Sequence, residues 1–153
     1  MKKLMFAIAC GALLLAPSAV MAQASERSVA GAASGSLPGA AMLGAIPISS
    51  VDLATGVQIE ADGSAAGWFH AVLHGAALGQ SRRITVEVKI TQGSVAADGS
   101  VTFSGSGTLD LGDGTAPVAI GLLNVTAGES GLVVSIDAAT LPVQLSSGTL
   151  AIE

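Results

Sequence analysis

The stretch Arg83-Ile84-Thr85-Val86-Glu87-Val88-Lys89-Ile90-Thr91 decides the fold class. Its even positions are β-branched and apolar, and its odd positions are polar or charged. Side chains of a β-strand point alternately to opposite faces, so this pattern predicts one strand with a dry face and a wet face.

The same period continues on either side. In residues 100–111, Val101, Phe103, Leu109 and Leu111 share one face, while Thr102, Ser104, Ser106, Thr108 and Asp110 share the other. Gly105 and Gly107 fall on the apolar side, which predicts a bend or the close approach of another backbone. Leu132, Val134 and Ile136 form a further alternating set, as do Leu141, Val143 and Leu145. The phase breaks twice. Val118, Ile120 and Leu122 are in one register and Leu123 and Val125 in the other, as an inserted bulge residue would produce. Ser146-Ser147-Gly148 shifts the register again before Leu150 and Ile152, by a bulge or a tight turn. Short alternating strands separated by turn residues predict a single antiparallel all-β domain over residues 46–153, with seven to nine strands. The expected form is a β-sandwich, with a closed β-barrel as the alternative.

The tetrapeptide Ala-Asp-Gly-Ser occurs at residues 61–64 and again at 97–100. Each copy precedes an aromatic residue, Phe69 seven positions after Asp62 and Phe103 five positions after Asp98. Both separations are odd, so on strands the two rings take the same relative face. Asp-Gly is a two-residue hairpin signal, and the expected reading is the same hairpin used twice. A calcium loop needs several oxygen ligands at alternating positions, and neither copy supplies them. Asp110 and Asp113 come closer as metal candidates, with a spacing that an ordinary hairpin loop shares.

Trp68-Phe69-His70-Ala71-Val72-Leu73-His74 carries both histidines of the chain. On a helix His70 and His74 would stand one turn apart and could share an ion; on a strand they lie ~13 Å apart. Residues 64–80 are alanine-rich and admit a helix, but the repeat favours a strand. Trp68, His70 and His74 are the candidate ligand-binding residues, with Trp68 expected to be buried beside the histidines. No Gly-x-Ser-x-Gly elbow is present, and no motif calls for a cofactor.

The first residues bear on compartment. Met1-Lys2-Lys3 is a short basic start, Leu4 to Ala16 is a 13-residue apolar run, and small residues follow Pro17. This is the layout of a secretory signal peptide, with cleavage expected after Ala22 or, alternatively, Ala24. The apolar run is shorter than the ~20 residues that span a bilayer. Cys10 would leave with the peptide, so no disulfide is expected. Residues 23–45, rich in Ala, Gly and Ser, read as a leader or linker, with residues 40–45 alternatively a short turn or edge strand.

Cleavage leaves Arg27, Arg82, Arg83 and Lys89 against eleven acidic residues, a formal charge of −7. That balance argues against nucleic acid as a partner. An outer-membrane barrel is disfavoured by the scarcity of aromatic residues for its two girdles. The expectation is an exported β-rich binding or structural module, periplasmic or extracellular, without catalytic machinery. Its expected partner is a protein or a cell-envelope component. Two alternatives stand beside it: a barrel carrier of a small apolar ligand, and an extracytoplasmic hydrolase using a His/Asp pair.

Overall fold

The computed structural model describes residues 26–39, 41–128 and 131–153. The expected signal peptide, residues 1–22, lies outside the described residues. Nine strands follow one another with no helix among the described residues: β1 (Arg27–Ser36), β2 (Met42–Leu43), β3 (Ile46–Ile59), β4 (Ser64–Ala77), β5 (Gln80–Val95), β6 (Val101–Asp110), β7 (Val118–Gly128), β8 (Gly131–Ile136) and β9 (Ala139–Ile152).

All nine belong to one antiparallel sheet. From β3 to β9 each strand pairs with the next in sequence. The first strand, β1, then pairs with β9 on one side and with β3 on the other, so the hydrogen bonding of the eight long strands returns on itself. Five of the ladders carry a register shift. A bulge adds a residue on one strand and increases local twist, which is how a sheet of this width bends round a core.

The interior is one apolar cluster to which every strand contributes. From β5 come Ile84, Val86, Val88 and Ile90, the even residues of the deciding stretch, all buried. Phe69 and Phe103 do share a face: both are buried and their ring centroids lie 6.3 Å apart at 54°. Such a tilted pair sits within the favourable range for aromatic contact. Gly105 and Gly107 are the expected close approaches. A Cβ on either would run into a carbonyl oxygen of β5, that of Lys89 or that of Glu87.

Both expected phase breaks are bulges. Gly105 pairs with Leu123 and Gly107 with Ile120, so three steps on β7 oppose two on β6 and both Ile120 and Leu123 reach the core. The Asp137 carboxylate accepts the Leu122 N–H at 3.1 Å, holding the bulged segment to the turn after β8. On β9, Ser147 pairs with Ser34 and Leu145 with Gly35, which leaves Ser146 as the extra residue. Leu145 therefore departs from its expected place on the dry face and is 40% exposed at the break.

The largest correction concerns residues 23–45. Instead of a leader, this segment supplies β1, which sits between β3 and β9, and β2, which forms a short hairpin with the start of β3. Met42–Leu43 thus take the edge-strand alternative. The inner face of β1 is Val29, Gly31, Ala33 and Gly35, and its outer face is Ala30, Ala32, Ser34 and Ser36. Those two sets barely differ in hydropathy, so the alternation is nearly invisible in the sequence. The small residues are needed for closure, since a Cβ at Gly35 would lie 2.5 Å from Val143 Cγ1 and 2.7 Å from the Gln144 carbonyl oxygen.

Candidate functional site

The repeated tetrapeptide is a structural device. In the first copy Gly63 N–H donates to Glu60 O, Glu60 N–H donates to Ser64 O, and the Ser64 N–H and hydroxyl both donate to Asp62 Oδ1 at 2.8 and 2.6 Å. The second copy repeats each bond, from Ala96 to Ser100 round Asp98, at 2.9 and 2.6 Å for the two donors of Ser100. The hairpin loop is one residue longer than expected. Only the glycine, at φ 85° and 81°, takes a positive φ, and the aspartate caps the loop with its side chain.

The loop between β6 and β7 uses its carboxylates in the same way. Asp110 accepts the Gly112 N–H at 2.8 Å, and Asp113 accepts the N–H and hydroxyl of Thr115. Hydrogen bonds from the neighbouring hydroxyl, and then from its backbone N–H, hold Asp62, Asp98 and Asp113 below the usual carboxylate range. Among the described residues no three His, Cys, Asp or Glu side chains gather where they could hold an ion.

Ser64–Ala77 form a strand, as the repeat favours, and not a helix. The inner slots of β4 are taken by Phe69, Ala71 and Leu73, which turns Trp68, His70, Val72 and His74 outward. Trp68, expected to be buried, is 50% exposed. Two residues of β3 adjoin it. Thr55, buried in the core, donates its hydroxyl to the Trp68 carbonyl at 2.8 Å. Gly56 stands directly opposite on β3, and a Cβ there would lie 3.3 Å from the indole Nε1. The missing side chain at Gly56 is what lets the indole lean over β3.

The histidines serve different partners. His74 Nε2 lies 2.8 Å from Asp52 Oδ2, whose other oxygen accepts the Ser34 hydroxyl at 2.6 Å. This sets the order hydroxyl, carboxylate, imidazole across β1, β3 and β4. A nucleophilic triad needs the imidazole in the middle, where it can take the hydroxyl proton. Here that proton is directed at the carboxylate, and Ser34 is not activated. His70 Nδ1 lies 3.8 Å from Glu87 Oε1 on β5, too far for a hydrogen bond.

An open groove of about 610 Å³ runs beside Trp68. Its side chains come from three adjacent strands: Trp68 and His70 of β4, Glu87 and Lys89 of β5, Ser106 and Thr108 of β6. Gly67, Phe69, Val88 and Gly107 complete the lining. Of the three candidate binding residues, Trp68 and His70 therefore meet at one site, and His74 belongs to the neighbouring Asp52 pair. Glu87, Lys89, Ser106 and Thr108 had been legible only as the wet faces of their strands. What groups them is register, which the alternation of a single strand does not carry.

Comparison of the chain with models of known protein families, with curated proteins and with solved structures finds no match in any of the three.

Proposed function

We propose that the protein is an exported, β-rich binding module without catalytic machinery, and that it meets its partner through the outer face of β4, β5 and β6. The observation that carries this reading is the half-exposed Trp68 bordering a groove that His70, Glu87, Lys89, Ser106 and Thr108 also line. An indole left half in water is an apolar surface available for contact, and convergent polar groups beside it supply orientation.

Two further features support the outer face. The inside of the sheet is occupied by Phe69, Phe103, Leu123, Leu141 and their neighbours, which is unfavourable for a carrier of an apolar ligand. The order of Ser34, Asp52 and His74 is unfavourable for a hydrolase. Export is supported by the layout of residues 1–22, and the net negative charge argues for partners other than nucleic acid.

Native mass spectrometry of the mature protein, purified from its exported fraction, tests the reading. Wild type is expected to carry added mass that denaturation removes and that a Trp68→Ala variant lacks. A bare wild-type mass, or added mass retained by the variant, would overturn it.

A further inference from the structure

We infer that the groove beside Trp68 is a saccharide site, taking a pyranose ring against the indole; the inference rests on the binding-module reading and names its ligand class. The argument begins with register. Trp68 pairs with Lys89, and Lys89 with Ser106; His70 pairs with Glu87, and Glu87 with Thr108. Adjacent strands are ~4.8 Å apart and residues two apart along a strand are ~6.6 Å apart. Six side chains therefore stand in two parallel rows on a patch of about 10 by 7 Å.

Their chemistry is mixed. The indole is an apolar wall. Lys89 offers only donors, Glu87 only acceptors when ionised, and Ser106, Thr108 and His70 offer both. Among the described residues the one polar side-chain contact inside the groove is the 3.8 Å approach of His70 to Glu87. The hydrogen-bonding capacity of these groups is thus left for a ligand or for water.

That combination discriminates between ligand classes. A hydrocarbon would desolvate Lys89 and Glu87 without compensation. An anion would meet Glu87, and a cation would meet Lys89. An extended peptide adds to a sheet through a free strand edge, and β4, β5 and β6 have both edges paired here. A pyranose has an apolar C–H face that fits an indole and a rim of hydroxyls, each of which both donates and accepts. Its rim matches a site where donors and acceptors stand side by side. The volume, about 610 Å³, lies within the ~300–1,000 Å³ of small-molecule sites.

Trp68 is the only tryptophan of the chain, so its emission reports on this groove alone. The mature protein would be titrated with cellohexaose, chitohexaose, laminarihexaose and maltohexaose, following that emission. At least one is expected to give a saturable shift. Calorimetry with that sugar is expected to show binding lost in Trp68→Ala and weakened about tenfold in Glu87→Gln and in Lys89→Met, as for loss of one hydrogen bond to a charged group. These side chains are on the outer face, and unchanged melting temperatures would show that the variants are folded. No response to any of the four sugars at about 10 mM, or binding that both charge variants leave intact, overturns the saccharide assignment. If the exported protein still carries a Trp68-dependent partner mass, only the ligand class has failed. If that mass is absent too, the binding-module reading falls with it.

Discussion

His74 Nε2 and Asp52 Oδ2 lie 2.8 Å apart across the β3–β4 ladder, although 22 residues separate them in the chain. The Ser34 hydroxyl, from β1, closes on the other oxygen of the same carboxylate at 2.6 Å. One exposed aspartate on β3 thus ties together β1, β3 and β4, three neighbouring strands of the sheet.

This relationship sets a pH dependence. The Ser34 hydroxyl first, and then His74, hold the Asp52 carboxyl below its ordinary 3.8. A carboxyl with a depressed pKa in the folded state stabilises it fully above the unfolded value and stops doing so as the pH falls through the folded value. The stability difference between wild type and Asp52→Asn is therefore expected to shrink as the pH falls through 3.8 and below. Melting temperatures of both proteins, recorded from about pH 6 down to about pH 2, would check this. A difference that stays constant to the lowest pH would show that the Asp52 bonds do not depend on its charge.

Gly105 tests the closeness of β5 and β6. A Cβ there would strike the Lys89 carbonyl, so Gly105→Ala is expected to cost about 1–3 kcal/mol, the range of overpacking substitutions. Ser106→Ala, on the outer face next to it, should stay within about 0.5 kcal/mol of wild type. Urea unfolding measures both, and equal stability of the two variants would contradict the described approach.

Leu78 is at the tip of the β4–β5 hairpin, fully exposed, with φ 53° beside Gly79 at 76°. Two central residues with positive φ form the type I′ turn, which favours Asn at the first position and disfavours a branched aliphatic side chain. Leu78→Asn is expected to stabilise the domain by about 1 kcal/mol and raise its melting temperature by about 4 °C. Scanning calorimetry would show the rise. An unchanged or lower melting temperature would mean that the leucine makes a favourable contact there.

How much was legible follows from the range over which each feature is encoded. The alternation at Ile84, Val86, Val88 and Ile90 needs no partner to be read, because any strand sorts its residues by parity. The bulge between Ile120 and Leu123 was legible for the same reason: two apolar residues three apart cannot share a face unless one is inserted. The loops round Asp62 and Asp98 are equally local, though their three-residue form was not anticipated. Trp68 was misplaced because its size suggested burial, whereas its parity with His70 already placed it opposite Phe69.

The amino-acid sequence alone determined the all-β class, the strand faces of β5, β6 and β8, the hairpin role of the repeated tetrapeptide and the two register breaks, since each depends on residues within one turn or one strand. Tertiary structure alone decided that β1 closes the pairing between β3 and β9, that Asp52 joins Ser34 to His74, and that six side chains from β4, β5 and β6 surround one groove. The physical reason is that cross-strand neighbours are set by sheet order and register. Contacts such as that of the Ser146 hydroxyl with the Ser34 carbonyl, 112 residues apart, form only when the sheet returns on itself.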